Sequence, residues 1–88
     1  QMIIALALSA SLAVCQPISD IARELQAARQ AGAPLAKALA IFEQPALQAL
    51  TLSAWREPRY STKEHQQRAI TEFENRTLLQ CMEGVDKK

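Results

Sequence analysis

The stretch Ile18-Ser19-Asp20-Ile21-Ala22-Arg23-Glu24-Leu25-Gln26-Ala27-Ala28-Arg29-Gln30-Ala31-Gly32 decides the fold. Ile18, Ile21, Ala22, Leu25 and Ala28 recur at the spacing that gathers side chains on one face of an α-helix. Ser19 or Asp20 is placed to cap its start, and Gly32 suits the left-handed turn that follows a helix end. The reading is an amphipathic helix over 18–31.

The same grammar repeats outward from it. Pro17, Pro34, Pro45 and Pro58 all stand at boundaries of apolar periodicity, and proline is tolerated in the first turn of a helix. Leu35, Leu39, Ile41 and Phe42 mark a short helix over 35–43, ended by the restriction that Pro45 imposes on the residue before it. A third helix follows over 45–56, with Leu47, Leu50 and Ala54 inward and Trp55 beside them. Ser61-Thr62-Lys63-Glu64 has the form of a capping box, Ser61 with Glu64. It opens the longest helix, over 62–82, buried along Ile70, Phe73, Thr77 and Cys81 with Ala69 and Leu78 alongside. No alternating run suggests a strand. The expected fold is all-α, a small domain of four helices.

Residues 1–13 differ in kind. Met2 to Ala13 carries no charge, and the first charged residue is Asp20. A stretch of this length matches the apolar part of a secretory signal, whereas a membrane-spanning helix needs about 20 apolar residues. Ser11 and Ala13 supply the small residues that signal cleavage after Ala13 requires. The positive segment that precedes such a signal is expected upstream of Gln1. The competing reading is a retained core helix, because Ile, Leu and Ala runs also make buried helices. Leu12-Ala13-Val14-Cys15 approaches a lipidation signal, but Val14 stands where Gly, Ala or Ser is needed. The division expected is a signal-like segment over 1–13 and a single domain over 14–88.

Cys15 and Cys81 are the only cysteines. Lipidation of Cys15 would leave Cys81 unpaired in an oxidising compartment, while a disulfide leaves neither over. A domain of this size buries only about 60% of its unfolded surface. The loop closed by Cys15–Cys81 is worth roughly 4 kcal/mol in chain entropy, comparable to the whole stability of a small domain. The pair therefore predicts a periplasmic or secreted protein, and it ties the entry of the first helix to the last turn of the fourth within about 6 Å.

Net charge is +1, from ten basic and nine acidic residues. That excludes nucleic acid as the main partner, since phosphate binding needs a concentrated basic face. No cofactor is expected, and no metal, because one histidine, a bonded cysteine pair and scattered glutamates do not make a ligand set. A Ser61/His65 nucleophile and base is conceivable by spacing, but Ser61 is better used as a cap and no acid stands by to orient the ring. The chain is not expected to be an enzyme. The alternating charges of the last helix, Glu64/Arg68 and Glu72/Arg76 included, predict a self-paired, solvated face. Asn75-Arg76-Thr77 matches a glycosylation acceptor by accident of composition, and Lys87 and Lys88 read as a solubilising tail.

One cluster has the composition of a binding site: Trp55, Arg56, Arg59 and Tyr60, at a polar turn. Trp, Tyr and Arg dominate interface hot spots because they bury much area and keep polar handles. The competing reading is that Trp55 and Tyr60 cover the core beneath the turn.

Arg29-Gln30-Ala31-Gly32-Ala33-Pro34-Leu35-Ala36-Lys37, Pro58-Arg59-Tyr60-Ser61-Thr62, Gln67-Arg68-Ala69-Ile70 and Leu79-Gln80-Cys81 together resemble a loose group of small exported proteins from bacteriophage, prophage and proteobacterial genomes. Trp55 stands where that pattern has a tyrosine. The resemblance implies export, helices and the cysteine pair, and no catalytic residues. The function expected is a non-enzymatic exported interaction protein, a phage-borne modulator or inhibitor of an unidentified envelope or lysis protein. The alternatives are a periplasmic stress or chaperone-like protein, and a small protein tethered to the membrane through an uncleaved residue 1–13 segment.

Overall fold

The computed structural model describes the backbone of residues 2–86 and the side chains of residues 12–84. The side chains of most of the apolar lead, and the tail residues Lys87 and Lys88, lie outside the described residues. Four helices and no strand are found among the described residues: α1 Met2–Ala31, α2 Leu35–Ile41, α3 Pro45–Arg56 and α4 Lys63–Asp86. The all-α expectation holds, with three of the four helices shifted at an end.

The largest shift is at the start of α1. The lead and the helix expected over 18–31 form one helix of 30 residues with Pro17 inside it. Neither Ser19 nor Asp20 is a cap. Pro17 has no N–H to offer, and its ring crowds the carbonyl four residues back, at a cost of about 3 kcal/mol in a helix interior. Packing on both sides of Pro17 offsets that cost. Cys15, Ser19, Ala22 and Gln26 fall on one stripe and are all fully buried. The Ser19 hydroxyl turns back to donate to the Gln16 carbonyl at 2.9 Å, a local bond that small hydroxyl side chains make within helices.

This stripe faces α4, where Phe73 and Thr77 are buried in turn. Two contacts fix the pair as antiparallel. Cys15 is bonded to Cys81, with Cα atoms 5.7 Å apart, and farther along α1 Arg23 reaches Glu74 at 3.3 Å. The pairing is the one expected, but because α1 begins at Met2 and α4 runs on to Asp86, the disulfide joins the middle of α1 to α4 ahead of its last turn rather than a helix entry to a last turn. It is the state that oxidising compartments maintain and reducing ones do not.

Gly32 ends α1 at φ +90°. Its N–H donates to the Arg29 carbonyl and that of Ala33 to the Ala28 carbonyl, each at 3.0 Å, the paired closure of a left-handed C-terminus. Helix α2 stops at Ile41, two residues short of expectation. Phe42 leaves the helix in an extended conformation (φ −115°, ψ 134°) and packs its ring against the core. Ala38 is the residue α2 buries, while Ile41, the last residue of the helix, is 69% exposed. Pro45 sits at the first position of α3, as its fixed φ favours.

At α4 the capping residue is Thr62, not Ser61. Thr62 Oγ1 accepts the His65 N–H at 3.2 Å and contacts His65 Nδ1 at 3.0 Å, so His65 occupies the position a glutamate holds in a capping box. Ser61 and Thr62 both lie in a bend, and the helix starts at Lys63.

All four helices contribute to the core: Ala22 and Leu25, Ala38, Ala54 and Phe73, with Ile21, Phe42, Leu50 and Trp55 packed around them. Alanine at three of the five buried positions brings the helices close, and Phe73 is the largest fully buried side chain among the described residues. The molecule measures 45 × 31 × 16 Å. Its length is that of α1 at 1.5 Å per residue, and its thickness admits two helix layers at an axial separation of about 8–10 Å. The accessible surface is 6258 Å², against about 5,100 Å² for a compact monomer of this mass. So small a core relies on polar contacts and the disulfide as well.

Candidate functional site

The turn between α3 and α4 is held by side chains of α1. Gln30, 2% exposed, is the centre of this clamp. Its amide nitrogen donates to the Pro58 carbonyl and to Gln26 Oε1, both at 2.8 Å, and its amide oxygen accepts the Tyr60 N–H at 2.8 Å. Gln26, fully buried, donates to the Ala54 carbonyl at 3.2 Å. Arg29 Nε donates to the Glu57 carbonyl at 3.1 Å. From the other side, Gln66 of α4 donates to the Tyr60 carbonyl at 2.7 Å. No buried side-chain nitrogen or oxygen is without a partner among the described residues. The turn is thus held by Arg29 and Gln30 of α1, with Gln26 one helical turn earlier bracing Gln30 and the Ala54 carbonyl at the end of α3.

The four residues singled out by composition separate into two kinds. Trp55 is half-buried against the core, and its indole N–H donates to the Ala33 carbonyl at 3.2 Å. It is a structural aromatic, tying α3 to the α1–α2 link. Arg56, Arg59 and Tyr60 are exposed. Arg59 is anchored by one nitrogen, Nε donating to the Gln30 carbonyl at 3.1 Å, and its guanidinium lies over Gly32, where a Cβ would come within 2.9 Å of it. Tyr60 stands between two shallow notches. One, of 330 Å³, is lined by Arg59, Ser61 and Gln66; the other, of 210 Å³, by His65, Arg68 and Glu72. The Tyr60 and His65 rings lie 6.0 Å apart, tilted by 50°.

The ion pairs differ from those expected. Arg76 pairs with Glu57 at 3.1 Å across the α3–α4 turn, and Glu74 with Arg23 of α1. The expected Glu64/Arg68 and Glu72/Arg76 pairs are not among the ion pairs of the described residues. Arg76 is taken by Glu57 instead, while Glu64, Arg68 and Glu72 form no ion pair among the described residues. Arg76 also sits 5.4 Å above the Phe73 ring, shielding the core at that end.

His65 contacts Thr62 rather than Ser61, so the Ser61/His65 arrangement is not formed. Thr77 of the glycosylation-like pattern is buried in α4. No group of three metal-capable side chains occurs among the described residues, and no helix among them is long and apolar enough to cross a membrane. What the sequence reading missed is the glutamine clamp. Gln26 and Gln30 look like the polar side of an amphipathic helix. Their only sequence signal is the i, i+4 spacing in line with Ala22 and Cys15. Comparison with known proteins finds no matching family model, no matching curated protein and no matching solved structure.

Proposed function

We propose that the protein is an exported, non-enzymatic interaction protein that docks on an envelope partner through Arg56, Arg59 and Tyr60. In the bacterial or phage setting that the sequence resemblance implies, it would modulate or inhibit that partner from the periplasm. The observation that carries this reading is the clamp: Gln30 and Arg29 hold the main chain of residues 57–60, while the Arg59 and Tyr60 side chains remain exposed. A turn held in one conformation before contact loses little entropy on docking, and tyrosine with arginine is the composition of binding hot spots. The disulfide supports export, since such bonds persist outside reducing compartments. The test is a periplasmic pull-down and cross-linking comparison of the wild type with Arg59→Ala/Tyr60→Ala. A partner retained by the wild type and lost by the variant supports the reading. Identical recovered proteins would remove the turn as the docking site.

The continuity of α1 through Pro17 favours a second reading, in which residues 1–13 stay attached and tether the domain to a membrane surface. Mass spectrometry of the natively expressed protein separates the two. A mature chain beginning at Val14 supports export with cleavage; an intact lead supports the tether.

A further inference from the structure

On the face formed by α1 and α2 lies an apolar groove of 190 Å³, separate from the turn residues discussed above. Its floor is Ile21, Leu25, Ala28 and Phe42. Ile41 rises at its rim, 69% exposed, the highest exposure of any large apolar side chain among the described residues. Two charged residues border the groove, Glu24 from α1 and Lys37 from α2. Both are exposed, and neither forms an ion pair among the described residues.

A projecting aliphatic side chain beside a hole of the same character, and an acid beside a base, form a surface complementary to itself. A two-fold axis brings every feature of such a surface against its counterpart, because residue i meets j of the second copy while j meets i. We infer that the α1–α2 groove is the interface of a symmetric dimer, in which Ile41 of each copy enters the groove of the other and Glu24 faces the second copy's Lys37. The acid–base border favours a second copy over a partner of one charge sign, which would be attracted by one edge and repelled by the other. None of Arg56, Arg59 and Tyr60 lines this groove, so a dimer presents two partner-binding turns and gains avidity when both engage.

The experiment is sedimentation equilibrium of the full oxidised chain from low micromolar to near-millimolar concentration. Mass is expected to rise from one copy to two with concentration. Ile41→Asp should hold the chain monomeric without changing its melting temperature by more than a few degrees, because the site is exposed in the monomer. Lys37→Glu should weaken association by about tenfold, since symmetry turns two attractive contacts repulsive. Glu24→Lys/Lys37→Glu should restore it to within about threefold, exposed pairs being worth at most about 1 kcal/mol each. A wild type that remains monomeric throughout would leave the groove to another protein or an apolar ligand and overturn the inference. So would a dimer that survives Ile41→Asp, which would assign association to another surface such as the lead.

Discussion

Replacing Gln30 tests whether the polar clamp holds the α3–α4 turn. Gln30→Leu keeps the side chain near its original volume but removes three hydrogen bonds of 2.8 Å, to Gln26, Pro58 and Tyr60. At a net contribution of about 1 kcal/mol for each bond, the loss is about 3 kcal/mol. The three orphaned groups do not fare alike. Pro58 and Tyr60 are exposed residues whose main-chain groups regain water, whereas Gln26 is fully buried and its Oε1 is left without a donor. The expected fall in melting temperature is about 12–24 °C, at 4–8 °C per kcal/mol for a domain of this size. Circular dichroism melts measure it, and amide exchange supplies the local readout: the Tyr60 N–H, protected by Gln30, should exchange far faster in the variant while amides in the middle of α4 keep their order. Gln26→Leu and the double variant complete a cycle whose coupling energy should be about 1 kcal/mol or more. A melting temperature within a few degrees of wild type, with Tyr60 still protected, would refute the clamp.

Reduction of Cys15–Cys81 in the unmodified chain should lower stability by about 4 kcal/mol and the melting temperature by roughly 15–30 °C; a shift of a few degrees would mean that packing alone holds α4 against α1. Gly32→Ala forces a Cβ into a backbone at φ +90° and to within 2.9 Å of Arg59, so denaturant unfolding should show a loss of about 1–2 kcal/mol. Removing the contact with Arg59→Ala should not recover that loss, because the backbone strain stays. Thr62→Ala should cost about 1 kcal/mol as the true cap of α4, while Ser61→Ala should fall within about 0.5 kcal/mol of wild type; reversed values in urea titrations would return the cap to Ser61.

Helix content was legible because it depends on local chemistry. The 3.6-residue recurrence of Ile18, Ile21, Ala22 and Leu25, the glycine at 32 and the prolines at 34 and 45 act over a few residues, and the structure keeps them. The Cys15–Cys81 staple was legible because two cysteines admit a single intramolecular pairing. The boundaries were less so. Pro17 has the signature of a helix start, yet α1 passes through it, because buried contacts at Cys15 and Ser19 outweigh a local penalty that no local pattern can weigh against them. Ile41 likewise fits an inward position by spacing. It is nonetheless 69% exposed, because it ends α2 where no element among the described residues covers it.

The composition of residues 55–60, the end of α3 and the turn after it, was enough to draw notice to their aromatic and arginine side chains, but not to sort them. Trp55 became a core residue because Ala33 offers its carbonyl at hydrogen-bond distance, and Tyr60 remained outside because Gln30 and Gln66 hold its backbone and leave the ring free. The Trp55–Ala33 and Tyr60–Gln30 bonds join residues 22 and 30 positions apart, a relation invisible to any short window of sequence. By itself the sequence determined the helices, their approximate order of breaks and the cysteine staple, since each rests on backbone preference or on covalent chemistry. Only the tertiary structure decided which polar residues are buried, which apolar ones are displayed and what fixes the turn. Burial is a property of the neighbours a side chain meets, and those neighbours are distant in the chain.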